Sequence, residues 1–499
     1  MGAIEKLIEA KEQRSSKVAA LEQKKEGKDI AGLYAKLDEF AKGGYGSIPE
    51  EDREFFLKSF GIFDRPATPE RFMIRVRVPG GALNATQAEA IANAAIKYGK
   101  DYIDITTRMQ IELRYLAIED IPTLLRGLES VGITTYQTGI DNFRNILADP
   151  LCANAKDSVI DTTPVIEGMQ DIFLKNPEWI STLPRKFNTG ISGSSTNRCN
   201  IFGQDCAFVL AKKGDEYGFN LYLGGKVGVR AESADMFVRA SEVSAVFGAI
   251  ISLFKKYGFR DNRNKNRLKF LLDAVGMDNF TAAIKEAAGV DFEGAGELLN
   301  DSENFESKTP IGLKDGTFAV HCAVPSGVFS GSDLLSIAAL AKEHGNGELR
   351  FTVEQNMYIL GVKEPSKLPD TDIVKKYITY ENGFLTNLVA CAGTEHCPFG
   401  VIANKPDAIE LAEYLHKSVK YTKPVRMYWS ACPKGCGIHA CGDIGFVGTK
   451  KAVDGKVELA VDIYMGGKLS GEGEEGRLYQ KGVLLKDLKE TVANLPIFE

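Results

Sequence analysis

Four of the nine cysteines fall close together: Cys391 and Cys397 have five residues between them and, 34 residues later, Cys432 and Cys436 have three. They lie in CAGTEHCPFG and ACPKGCGIHACGD, where Gly and Pro flank both pairs. Four thiolates suit zinc or an iron–sulfur cluster. Structural zinc sites favour spacings of about two to four residues in both pairs, and the five-residue gap disfavours them. Two Gly/Pro-flanked pairs in one short region are not the distribution of unrelated core cysteines either. Cys441 is a fifth candidate that residue type alone does not exclude; it reads as a buried neighbour. Cys152, Cys199, Cys206 and Cys322 lie far off in sequence and read as core residues. His396 and His439 sit beside the cysteines and read as packing residues, with hydrogen bonding to the sulfurs as the alternative.

The elements that must position such a site come in duplicate. The segment FMIRVRVPGGALNATQAEAIANAAIKYGKDYIDITTRMQIELR from Phe72 aligns without a gap to FAVHCAVPSGVFSGSDLLSIAALAKEHGNGELRFTVEQNMYIL from Phe318, an offset of 246 residues. Each copy predicts a strand, a Pro-containing turn, a helix with apolar residues at three-to-four spacing, a Gly-containing break and a second strand. A weaker pair follows: LPRKFN at Leu183 against KPVRMYW at Lys423, and GFNLYLGGKVG at Gly218 against AVDIYMGGKLS at Ala460. A duplicated half predicts pseudo-two-fold symmetry, with a large ligand held between the halves. Only the second half carries the cysteine set, and Arg108 of the first stands where the second has Glu354.

At 499 residues the chain exceeds one ordinary core. Its 44% hydrophobic and 26% charged residues are average globular usage. The longest mostly apolar stretch, Val243 to Phe254, is 12 residues and too short to span a bilayer, so a buried helix and no membrane association are expected. The N-terminus is charged and helix-forming without an apolar leader, which predicts a cytoplasmic protein. The net charge of −6 argues against nucleic acid. Arg260, Arg263, Lys265, Arg267 and Lys269 form a basic run, readable as a docking patch or as a solvated helix face, and Lys450 and Lys451 are a lesser such pair.

The two cysteine pairs, with GNGELRFTVEQN from Gly345, TKPVRMYWSACPKGC from Thr422 and DIGFVG from Asp443, resemble the siroheme-containing nitrite and sulfite reductases, and among them the ferredoxin-dependent nitrite reductases. The likeness runs from about residue 45 to the C-terminus. It implies an α+β fold in two pseudo-symmetric halves, with ferredoxin-like repeat units and two α/β domains around the cofactors. The expected segments are a helical arm (1–55), a first ferredoxin-like unit (56–147), a first α/β domain (148–306), a second ferredoxin-like unit (307–382) and a second α/β domain carrying the cluster (383–499).

By the same resemblance Cys391, Cys397, Cys432 and Cys436 hold a [4Fe-4S] cluster, and Cys436 also bridges to the siroheme iron. Arg108, Arg144 and Lys186 occupy the family's anion and siroheme positions, with Lys186 also passing protons. Arg185 and Arg198 are weaker candidates for siroheme carboxylates. Asn188 matches the nitrite reductases, where sulfite reductases place a second lysine; one fewer cation suits a monoanion. Met109 departs from the family's usual glutamine. No Gly-x-Gly-x-x-Gly follows a strand, so electrons are expected from a separate protein, by family a ferredoxin. The implied activity is six-electron reduction of nitrite to ammonia by a monomer; sulfite reduction, or a non-catalytic iron–sulfur electron carrier, are the alternatives.

Overall fold

The computed structural model describes residues 2–14, 18–300, 302, 304–420, 423–469 and 473–498. Met1, Thr422, Ser470 and Glu499, which open or close segments named above, lie outside the described residues.

The gapless repeat folds as two small antiparallel sheets that exchange a strand. The first runs Ile62–Asp64, Phe72–Val76, Ile111–Leu116, Ile103–Ile105 and then Val328–Phe329, which comes from the second copy. The other runs Ile311–Gly312, Phe318–Cys322, Met357–Val362, Glu348–Phe351 and then Ala82–Asn84, which comes from the first. Val328 pairs with Asp104 and Glu348 with Asn84, so each sheet is completed by the opposite half. The tight turns before the exchanged strands make this possible. Gly81 and Gly327 both have φ of 72°, and a Cβ at either would press on a backbone oxygen of the opposite half, Phe351 O or Ile105 O.

The repeat helices, Ala85–Tyr98 and Gly331–His344, start on side-chain caps: Asn84 Oδ1 accepts from Gln87 N at 2.9 Å, and Ser330 Oγ from Asp333 N at 2.9 Å. They lie against each other, and Ala92 and Ala95 share one core with Leu334, Ile337 and Ala338.

The weaker repeat forms two larger sheets of identical plan. Phe143–Ala148, Phe187–Ser192, Cys206–Lys213, Glu216–Leu223 and Glu232–Val238 pair parallel, parallel, antiparallel, antiparallel. Leu388–Ala390, Met427–Ser430, Ile444–Val453, Lys456–Met465 and Arg477–Leu484 repeat that order. One register differs from the sequence alignment by two residues. Asn188 N donates to Asp205 Oδ2 at 2.8 Å and Arg426 N to Asp443 Oδ2 at 2.7 Å, so Asn188 is the counterpart of Arg426 rather than of Tyr428. Matching Pro184 with Pro424 puts the sequences two residues out of step with the backbone, which the two aspartates fix.

The helix Val243–Tyr257 is buried against this core, and among the described residues no helix is long and apolar enough to cross a membrane. The N-terminal arm is docked: helix Ala3–Glu12 buries Leu7 and Ala10 against Leu268–Val275 and Met277–Ala288, and Leu33, Leu37 and Phe40 enter the repeat core. Truncating Ile337, fully buried at the contact between the repeat helices, to Ala should cost about 2–5 kcal/mol. Calorimetry should show a lower unfolding temperature.

Candidate active site between the halves

The cysteines sit where the second α/β sheet ends. Strands Leu388–Ala390 and Met427–Ser430 run parallel, and the loops at their carboxyl ends carry Cys391 and Cys432, the end at which open parallel sheets bind ligands. Cys391, Cys397, Cys432 and Cys436 line one cavity, opposite Arg75, Asp104 and Arg108 of the first half. Cys391 Sγ accepts from Ala431 N at 3.2 Å and Asn404 Nδ2 at 3.4 Å, the kind of donors that stabilise a ligating thiolate. Burial and the neighbouring Cys436 push the Cys391 thiol up to about 12, a cost that metal binding would offset. Among the described residues no three His, Cys, Asp or Glu side chains converge tightly enough to hold one ion. Four thiol side chains on one cavity wall are a donor set that fits an iron–sulfur cluster.

Glycine shapes the second cysteine loop. A Cβ at Gly437 would fall on the carbonyl of Trp429. Gly437 N and His439 Nδ1 both meet Ser430 Oγ, at 3.1 and 3.0 Å, so His439 braces the loop. Burial holds His439 down at about 4. His396 lines the cavity, stacks on Tyr102 and meets Tyr115 Oη at 3.0 Å.

The first half reaches this loop through Thr107, whose hydroxyl donates to Cys436 O at 3.1 Å. Thr107 and Arg108 line the cysteine cavity and also a second cavity between the halves. Six cations line that second cavity: Arg108, Lys186, Lys226, Arg230, Arg267 and Lys468. Lys226 and Lys468 come from the repeated Gly-Gly-Lys of the two halves, a signal visible in the alignment that carried no assignment. Arg267 is tied to Asp205 at 2.7 and 2.6 Å. Among the described residues neither Arg108 nor Lys186 pairs with a carboxylate. Burial, with Arg108 and Arg267 close by, lowers Lys186 well below the ordinary lysine value, and burial lowers Arg108. Asn188 lines the same cavity, its Oδ1 buried without a partner. This donor-rich wall fits a tetrapyrrole bearing many carboxylates.

The remaining candidates lie elsewhere. Arg144 is behind the cavity wall, its guanidinium donating to Ile140 O (2.9 Å) and Asn142 O (3.3 Å). Arg185 faces Asp141, and Arg198 is bound to Asp149 and Asp157 at 2.8 and 2.9 Å. Cys441 packs against the repeat core and borders the second cavity, and Cys152 borders a separate one. Most of the basic run is ion-paired within the fold rather than a free solvated helix face. Arg260 pairs with Glu22, Arg263 with Asp141, Arg267 with Asp205 and Lys269 with Glu232 and Asp273, leaving Lys265 exposed.

The symmetry mate of this pocket is closed. Glu354, in the place of Arg108, accepts from Tyr428 Oη at 2.7 Å and meets Arg426 Nε, in the place of Asn188, at 3.4 Å. Arg426 also lies 3.8 Å from the Phe305 ring centroid. Gln355, which stands opposite Met109, bonds Ile105 O and Ala390 N at 2.7 and 2.8 Å, while Met109 is wholly buried among apolar residues.

The family description "Nitrite and sulphite reductase 4Fe-4S domain" matches residues 139–292 and 382–495, and "Nitrite/Sulfite reductase ferredoxin-like half domain" matches 65–131 and 311–369. The chain belongs to the nitrite and sulphite reductase family. Each description matches it twice, once per half. It is similar to the ferredoxin–nitrite reductase of Leptolyngbya laminosa, with 34% identity over 95% of this chain and 96% of that one. The chloroplastic ferredoxin–nitrite reductase of Spinacia oleracea is 32% identical over 90% of this chain and 78% of its own. Among solved structures, the Mycobacterium tuberculosis NirA protein superposes with a TM-score of 0.89 at 25% identity, covering 96% of this chain and 93% of that one.

In this reductase Cys436→Ser should disturb the cluster and the macrocycle together, seen as coupled loss of iron and of visible absorption. Gly437→Ala should do the same without removing a ligand. Normal coupling in Cys436→Ser would move the bridging role elsewhere, with Cys441 the first suspect.

Proposed function

We propose that this chain is a ferredoxin-dependent nitrite reductase that carries out the six-electron reduction of nitrite to ammonia. The observation that carries the reading is Arg108: it walls the cysteine cavity and the cationic cavity at once, so a small anion bound beside it lies next to the electron source. Cys391, Cys397, Cys432 and Cys436 would hold a [4Fe-4S] cluster, with Cys436, nearest to Thr107, shared with siroheme. When bound, the pair would supply electrons one at a time for reduction of the anion.

Arg108 and Lys186 bind the anion and balance its charge; Arg144 supports them from behind. Lys186 has its proton affinity lowered by burial and by Arg108, which makes it the better donor, and its place on the cavity wall lets solvent return the proton. Lys226 and Arg230 would take the macrocycle's carboxylates, beside Arg267 and Lys468, which already hold Asp205 and Glu474. Asn188 offers a neutral amide where a further cation would favour a dianion, which supports nitrite over sulfite. The cysteine cavity opens to solvent beside exposed Phe399 and Lys434, a cation suited to an acidic carrier. We propose that it works as a monomer in a reducing cytoplasm, where its cysteines stay free for the cluster. We propose the five-part division 1–55, 56–147, 148–306, 307–382 and 383–499 for its domains.

The purified protein should show chlorin-type absorption bands beside the broad iron–sulfur absorption. With reduced viologen, turnover of nitrite should far exceed that of sulfite, and Asn188→Lys should narrow the gap; equal or greater sulfite activity in the wild type would reverse the assignment. The pH profile gives a separate check. Because the Lys186 pKa is lowered, its protonated form is lost at a pH well under the ordinary lysine value, so the nitrite rate should fall on an alkaline limb there. Lys186→Arg should abolish that limb while keeping nitrite binding.

A further inference from the structure

The short loop Gly139–Asn142 holds the anion site from behind. Its carbonyls at Ile140 and Asn142 accept from the Arg144 guanidinium, at 2.9 and 3.3 Å. Asn142 O also accepts from Phe187 N at 3.1 Å, and Asn142 exchanges hydrogen bonds with Ser181 at 2.7 and 3.0 Å, fixing the chain on either side of Lys186. Ile140 has φ of 47°, a left-handed conformation that a β-branched residue adopts only when its surroundings impose it.

The next residue, Asp141, is tied down by its side chain. This carboxylate is fully buried and accepts from Arg263 at 2.7 and 2.7 Å and from Lys25 at 2.7 Å, with Arg185 3.8 Å away. Lys25 belongs to the N-terminal arm, in the helix Ala20–Lys25. The arm is itself pinned: Glu22 bonds Lys25 at 2.6 Å and Arg260 at 2.5 Å, and Arg260 O accepts from Ala19 N at 2.8 Å.

We propose that Lys25 and Asp141 are positioning residues of the anion site, a latch by which the N-terminal arm fixes Arg144 and the segment bearing Lys186. The proposal rests on the nitrite reading, in which those two residues serve the anion. With Arg263, Lys25 balances the Asp141 carboxylate in the loop under Arg144, so losing it both loosens the loop and lowers the positive potential at the pocket. Both effects weaken anion binding, and neither touches the electron path.

The test uses full-length, cofactor-loaded Lys25→Met, Lys25→Arg and Asp141→Asn. Nitrite affinity is read by titrating the visible absorption, beside iron and siroheme content, KM and kcat. Lys25→Met should keep both cofactors, bind nitrite about tenfold more weakly, as expected for one lost charged hydrogen bond, and raise KM with kcat little changed. Lys25→Arg should restore most of the affinity, and Asp141→Asn, where it folds, should weaken nitrite at least as much as Lys25→Met. Wild-type nitrite affinity in Lys25→Met overturns the latch. So does a fall in kcat and thermal stability with KM and affinity unchanged, the mark of a purely structural contact. A wild-type protein whose absorption nitrite does not perturb overturns the nitrite reading, and the latch with it.

Discussion

Buried positive charge without matching negative charge is the constraint around which this molecule is organised. Arg144 is buried, Arg108 and Lys186 are half-buried on the cavity wall, and loss of surrounding water lowers the pKa of all three. A folded chain tolerates this only if rigid neighbours or bound anions meet the cost. Backbone carbonyls do so for Arg144, and Asp205 does so for Arg267. For Arg108 and Lys186 the compensation is left to ligands, which is what makes the site an anion receptor.

The duplicate shows the same backbone with the opposite solution. At the positions of Arg108 and Asn188 the second half has Glu354 and Arg426, which meet each other in a fully buried pair. Burial pushes the Glu354 carboxyl up and Arg426 draws it down. A pocket that neutralises itself needs no ligand. The two halves thus divide the labour: one sequence keeps its charge uncompensated and binds, the other closes and supplies cysteines from the adjoining strand ends. Catalysis arises where the open half abuts the cysteine-bearing one, through Thr107 and the loop at Cys436.

Much of this was legible in the sequence because it was written in local pattern. The repeat at offset 246 survives residue for residue in strands, turns and helices, down to the paired glycines Gly81 and Gly327. The cysteine spacing identified the loops. Less visible were features that depend on meetings between distant segments. Lys226 and Lys468 lie on matching loops and converge only because of the pseudo-symmetry. Arg260 and Arg263 looked like a basic surface because their partners, Glu22 and Asp141, are more than a hundred residues away. Arg144 reads like its neighbours in type, but only the fold shows its guanidinium turned onto the Ile140 carbonyl.

The exchanged strands also set the order in which the chain can be made. The first sheet ends at Ile103–Ile105 until Val328–Phe329 arrives to cover that edge. During synthesis more than two hundred further residues must leave the ribosome before that edge is paired. An uncovered strand edge in a growing chain invites pairing with other chains. The first half must therefore wait, incomplete, for the second, and neither half is expected to survive alone as a soluble fragment. Symmetry that built the active site has made the two copies inseparable in biogenesis.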